Sequence, residues 1–255
     1  MTSLQLKITL VVLMVIDHIG AMLTAARPNS ETLIFVITLM RSAGRCVFPL
    51  FAFLCAEGCF HTKNIWNYLR RMLIFAVISE IPYNIFRGIL NNQGLTVLNF
   101  DKQNVLFTLA LGIFTVIIYR NVQSEKSKTL KAMLWAAIAL IIIASEFLFC
   151  EYGARGSLLV LLIYACAHTK LWGQIFPHDS ELSYSAPVYA PVLAAASFAA
   201  MFYYNMGALY IIGALFAGVL AAFYNGKPGK KIKYAFYIFY PAHICVLSLI
   251  WIVFF

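Results

Sequence analysis

Leu10-Val11-Val12-Leu13-Met14-Val15-Ile16-Asp17-His18-Ile19-Gly20-Ala21-Met22 decides what kind of protein this is. The run is as apolar as a helix in hydrocarbon must be, yet an acid and an imidazole stand side by side within it. A charge there costs at least about 2.5–3.5 kcal/mol on insertion scales. The next apolar segment repeats the anomaly with Arg41 and Arg45, one helical turn apart on one face. Four ionisable groups in the first two spans require partners, water or a ligand. Such groups mark an intramembrane functional site by default.

The rest of the chain has the same character. Of 255 residues, 62% are hydrophobic and 11% charged, against about 25% charged in soluble domains. Polar residues cluster between long apolar runs, the pattern of a polytopic helical membrane protein. The expected fold is therefore all-α, a single domain over 1–255 with about nine transmembrane helices (eight to ten). The spans are placed at 4–26, 32–60, 71–88, 104–120, 131–149, 156–172, 187–204, 206–223 and 234–255. The second is long for one crossing. Pro49 kinks it, or else it is a short re-entrant piece followed by a full span. Asp17-His18 argues against a cleaved signal peptide over 1–26.

The formal net charge of +9 would suggest nucleic acid in a soluble protein. Here Lys and Arg gather in loops on one side, and no nucleic-acid partner is expected. With the N-terminus inside, thirteen Lys and Arg are cytoplasmic, among them Lys7, Arg120 and Lys170, and four are outside, Arg27, Arg87, Lys102 and Arg155. This bias favours N-in and C-out. Six cysteines without a C-x-x-C read as small packing residues. The longest polar loop, about 173–186, reads as a solvated connector.

Helical rise places the buried polar groups at comparable depths. His18 lies about 21 Å from the inner edge and Arg41 about 13 Å from the outer edge, while Glu80 and His243 lie about 13 Å from the inner edge. Four spans thus bring charge to one central belt. Asp17 with Arg41 and Glu80 with Arg45 could be ion pairs that specify the fold. The alternative is chemistry. A neutral His18 can act as general base, and an arginine suits a phosphate, a carboxylate or an oxyanion. Glu57 and His61, at i and i+4, read as a local pair that caps or gates the cytoplasmic entrance, and no metal is expected. Two basic loops carry Lys63, Arg70 and Arg71, and Lys227, Lys230, Lys231 and Lys233. They suit anionic lipid or a phosphorylated ligand approached closely by the glycine-rich backbone of the second.

Taken in order, several stretches resemble the TraX family of membrane proteins. They include Ile16-Asp17-His18-Ile19-Gly20, Gly44-Arg45-Cys46-Val47-Phe48-Pro49-Leu50-Phe51-Ala52-Phe53, Glu57-Gly58 and His61-Thr62-Lys63-Asn64. Tyr68-Leu69-Arg70-Arg71-Met72, Asn104-Val105-Leu106-Phe107-Thr108, Tyr224-Asn225-Gly226-Lys227 and Phe236-Tyr237-Ile238-Phe239-Tyr240-Pro241-Ala242-His243 complete the set. The resemblance runs from about residue 5 to 250. It implies a transmembrane N- or O-acyltransferase of the bacterial cytoplasmic (inner) membrane that uses acetyl-CoA or another acyl-CoA, as in the family's link to acetylation of conjugative pilin. The acceptor would be a peptide N-terminus such as a pilin's, a glycan or a lipid headgroup. On this view His18 is the base and Arg41 or Arg45 stabilises the oxyanion. Asp17 or Glu80 sets the His18 tautomer or pairs with the arginines, the two basic loops hold the donor phosphates, and Asn104 and His243 line the acceptor path. The competing expectations are a proton-coupled transporter built on the same Asp, His and Arg cluster and a non-catalytic scaffold for surface assembly.

Overall fold

A computed structural model describes residues 1–168, 203, 205–227, 229, 230, 232 and 234–254. Among these, the regular structure is helical: α1 (Ser3–Ala25), α2 (Glu31–Ala43), a 3₁₀ turn (Gly44–Cys46), α3 (Val47–His61), α4 (Ile65–Leu90), α5 (Val105–Ser124), α6 (Lys128–Phe147), α7 (Gly153–His168), α8 (Ala208–Ala222) and α9 (Ala235–Phe254). Six segments are long and apolar enough to cross a bilayer. They are α1, the continuous run Glu31–His61, α4, α5, α6 and α9. The expected span at 187–204 and the loop at 173–186 lie outside the described residues, apart from Tyr203. The expected span at 206–223 is α8, whose 15 residues rise about 22 Å, short of a ~30 Å core.

Helix starts follow local chemistry. Thr2 and Gln5 form a reciprocal capping box on α1. Ser30, Asn104 and Ser127 cap α2, α5 and α6 through their side-chain oxygens. The second long segment departs from regular α-helix at Gly44–Cys46, just ahead of Pro49. Proline has no N–H for the carbonyl four residues back, here that of Arg45, and its ring crowds that carbonyl. The irregularity therefore falls on the arginine itself.

The chain forms two compact units. One comprises 1–51, 78–99 and 184–255, the other 52–77 and 100–183. In the first unit α1 packs on α2 and on α9, and α8 packs on α2 and the 3₁₀ turn. Glycines permit these approaches. A Cβ on Gly44 would sit 2.3 Å from the Cβ of Asp17, and one on Gly213 would sit 2.0 Å from the Ser42 carbonyl oxygen. The Lys7 ammonium lies 5.6 Å from the Phe236 ring centre, and further along His18 meets His243. Hence α1 and α9 run side by side in the same direction.

In the second unit α5, α6 and α7 pack on one another. Ser145 and Ser157 hydroxyls join α6 to α7 at 2.6 Å. Most of α6 presents apolar side chains outward, Met133, Leu140 and Phe147 among them, as a lipid-facing helix does.

Candidate functional site

Asp17 is the hub of the first unit's polar cluster. Its Oδ1 accepts from Arg41 Nη1 at 2.8 Å and from Arg45 Nη2 at 2.6 Å. Arg41 Nη1 also donates to the Asp17 carbonyl oxygen at 3.1 Å, and Arg45 Nε donates to the Arg41 carbonyl at 2.8 Å. All three side chains are largely enclosed, with exposures of 15%, 27% and 11% for Asp17, Arg41 and Arg45. Local structure explains the convergence. Arg41 lies in the last turn of α2 and Arg45 sits in the 3₁₀ turn, so the two lie one turn apart over α1. Gly44 between them brings the backbone onto Asp17, and Gly20 leaves room for the Arg41 stem. The Arg45 guanidinium also lies over two aromatic rings, 5.6 Å from the centre of Tyr203 and 5.9 Å from that of Tyr210.

His18, the next residue along α1, has a different partner. Its Nδ1 lies 2.8 Å from Nε2 of His243 on α9. The rings are nearly parallel, and the edge of Phe86 from α4 meets His18 at 5.2 Å between ring centres. His243 is buried. Its Nδ1 lies 2.9 Å from the Phe239 carbonyl oxygen, and its ring stacks on Phe239.

The cluster thus joins Asp17, His18, Arg41, Arg45 and His243. Of the two roles open to Asp17, it takes the pairing with the arginines, and with Arg45 as well, where Glu80 was the expected partner; His243, expected on the acceptor path, is the hydrogen-bond partner of His18. Glu80 is half-buried on α4. Asn104 lies in the other unit, where its amide is committed to structure, donating to the Ala76 carbonyl at 2.8 Å and accepting from Leu106 N–H at 3.0 Å. Glu57 and His61 also lie there, paired at 3.4 Å.

The basic residues fall in both units. Lys63 and Arg70 are exposed and Arg71 half-exposed in the second, and Lys227 and Lys230 are exposed in the first. Lys231 and Lys233 lie outside the described residues. The loop that carries Lys227 is tied to the start of α1. Ser3 N–H donates to the Lys227 carbonyl at 2.8 Å and Asn225 N–H to the Met1 carbonyl at 2.9 Å, and the Met1 amine bonds the Phe223 carbonyl. Among the described residues no three His, Cys, Asp or Glu side chains gather as a metal site requires.

Arg120, expected at the inner end of the span 104–120, lies within α5, donating from Nε to the Tyr164 hydroxyl and from Nη2 to the Cys59 carbonyl, each at 2.8 Å. Its spacing was the available signal, since it follows the buried Ile113, Val116 and Ile117 at seven, four and three residues.

Several bilayer-length helices around an enclosed Asp, Arg and His cluster define a polytopic membrane protein with an ionisable interior. The chain belongs to the TraX family: the family model described as TraX protein matches residues 3–251. It is also similar to the "Probable fimbrial assembly protein FimC, serogroup H1" of Dichelobacter nodosus, with 30% identity over 96% of this chain and 94% of that one. No solved structure matches.

Proposed function

We propose that this protein is an acyltransferase of the bacterial cytoplasmic membrane that moves an acetyl or other acyl group from cytosolic acyl-CoA to an amine or hydroxyl acceptor. The observation that carries the reading is the sharing of Asp17 Oδ1 by Arg41 and Arg45 beside His18. Two guanidinium cations converge on one carboxylate in an enclosed place. Guanidinium donors held there are useful where a reaction develops negative charge. The adjacent imidazole supplies the base.

The steps balance as follows. The acceptor N–H or O–H gives its proton to His18 as its nitrogen or oxygen bonds the thioester carbonyl carbon. The carbonyl oxygen gains the negative charge and is held by Arg41 or Arg45. The C–S bond then breaks, and the proton passes from His18 to the departing sulfur. Lys227 and Lys230 would neutralise donor phosphates. Their loop is bound to the start of α1, and the 15 residues from Ser3 to His18 rise about 22 Å, which the slender thioester arm would span. The parallel course of α1 and α9 supports an odd number of crossings with the termini on opposite sides, and the bias of Lys and Arg favours the N-terminus inside. The fimbrial-assembly name of the relative favours the amino terminus of a surface-fibre subunit as acceptor.

The test is transfer and hydrolysis of radiolabelled acetyl-CoA by purified protein. Turnover is expected to fall on the order of 10²–10⁴-fold in His18→Ala. Undiminished turnover in that variant, or none in folded wild type, removes the reading.

The His18–His243 hydrogen bond favours a second reading, a proton-coupled transporter whose relay is this imidazole pair. It predicts solute-linked proton movement in proteoliposomes and indifference to acyl-CoA.

A further inference from the structure

We propose that His243 is a positioning residue that makes Nε2 of His18 the basic nitrogen. The Phe239 carbonyl fixes the first proton. A carbonyl oxygen can only accept, so the His243 nitrogen 2.9 Å from it, Nδ1, carries the hydrogen. In a neutral imidazole the other nitrogen is then an acceptor, and this is the Nε2 that lies 2.8 Å from His18 Nδ1. His18 must therefore donate from Nδ1, and its remaining lone pair is on Nε2. A backbone carbonyl on α9 thus sets, through two rings, the protonation pattern of a residue on α1. Among the described residues, no hydrogen bond engages His18 Nε2.

The neighbours hold this arrangement. The Phe239 ring stacks 4.8 Å from that of His243 with only 3° between planes, and the Phe86 edge lies against His18. Each ring nitrogen in the chain then has one role. Hydrolytic triads orient a basic imidazole with a third group, usually a carboxylate. Here Asp17, the nearest carboxylate in sequence, is taken by Arg41 and Arg45, and a neutral imidazole does the orienting.

The catalytic half of this inference rests on the acyl-transfer reading; the tautomer half does not. In the transfer step the acceptor's proton goes to His18 Nε2 while His18 Nδ1–H continues to donate to His243, and the same proton leaves with the sulfur. His243 neither gains nor loses a proton overall.

The experiment is nitrogen NMR of the full chain in nanodiscs with ¹⁵N-histidine, read beside acetyl-CoA turnover. Wild type is expected to show His18 protonated at Nδ1 and bare at Nε2. His243→Gln supplies an oxygen to accept and an NH₂ to donate. It is expected to keep that tautomer and to stay within a few-fold of wild-type kcat. His243→Leu is expected to lose the tautomer preference and to drop kcat on the order of 10²-fold with little change in KM. A wild-type His18 protonated at Nε2 overturns the proposal without any variant. So does a His243→Leu protein that keeps wild-type kcat. If the Nδ1–H tautomer is found and depends on residue 243 but no acyl-CoA is ever turned over, the acyl-transfer reading fails and the positioning stands.

Discussion

His18 and His243 meet at 2.8 Å although 225 residues separate them. The contact joins α1 to α9 through two ring nitrogens whose hydrogen-bonding roles are complementary. The neighbouring contact, Asp17 with Arg41 and Arg45, closes over a much shorter stretch of chain. The two contacts have different failure modes, and variants separate them.

Asp17→Asn takes the shared carboxylate from two enclosed guanidinium groups. Removing one partner of a buried pair typically costs about 3–5 kcal/mol, so a large fall in thermal midpoint in detergent is expected. The triple variant Asp17→Leu, Arg41→Met, Arg45→Met removes the cost together with the charges. It is expected to melt above Asp17→Asn yet to show no transfer. A triple variant with normal activity would make the cluster purely structural.

Gly44→Ala and Gly20→Ala rank the two close approaches onto α2 and its 3₁₀ turn. The first places a Cβ 2.3 Å from that of Asp17, the second 3.1 Å from that of Met40 and 3.2 Å from Arg41 Cδ. Overpacking costs about 1–3 kcal/mol and sometimes more. Gly44→Ala should lie at or beyond the top of that range and Gly20→Ala near its foot. Chemical denaturation of both checks the order, and the reverse order would show that α1 does not bear on the 3₁₀ turn as described.

Arg120→Lys keeps the charge and loses the fork. One ammonium on a flexible stem does not reproduce the fixed geometry that serves both Tyr164 Oη and the Cys59 carbonyl. Hydrogen bonds to charged groups contribute about 1.5–3 kcal/mol each, so a loss of that order is expected in Arg120→Lys and a larger one in Arg120→Ala. Unchanged melting of Arg120→Lys would show that the two bonds contribute little.

Acyl-CoA should raise the thermal midpoint of the solubilised protein, since any ligand of the native state does so in proportion to the logarithm of its concentration over Kd. Phosphate contacts with exposed lysines are screened by salt, so the shift should shrink as ionic strength rises and fall further in Lys227→Ala/Lys230→Ala. A shift indifferent to both would place the donor phosphates elsewhere.

Much of this was legible in the sequence because bilayer hydrocarbon is an unforgiving solvent. Hydropathy located the long apolar helices to within a few residues, except that α4 extends from Ile65 where 71 was expected. The cost of Asp17, His18, Arg41 and Arg45 in such segments marked the cluster. What hydropathy cannot carry is the order of helices around a bundle. Nothing along the chain says that α9 lies beside α1, so neither the His18–His243 contact nor the choice of Asp17 between its two roles is legible there. Pro49 signalled a disturbance, but the crowded carbonyl four residues earlier decides where it falls. The partners of Arg120 were not legible, because a charge at the edge of an apolar run looks like a terminus, whereas its face continues the buried stripe of α5.

Synthesis runs from α1 to α9, and that gives the two contacts different birth dates. Asp17 can find Arg41 and Arg45 as soon as the second segment leaves the ribosome, which also shields the costliest charges early. His18 waits for a partner encoded more than two hundred residues later, at least ten seconds or so at ordinary elongation rates. The imidazole pair closes last, so a chain arrested before α9 can be inserted with Asp17 already paired to its arginines and still lack the hydrogen bond that tells His18 which nitrogen to use.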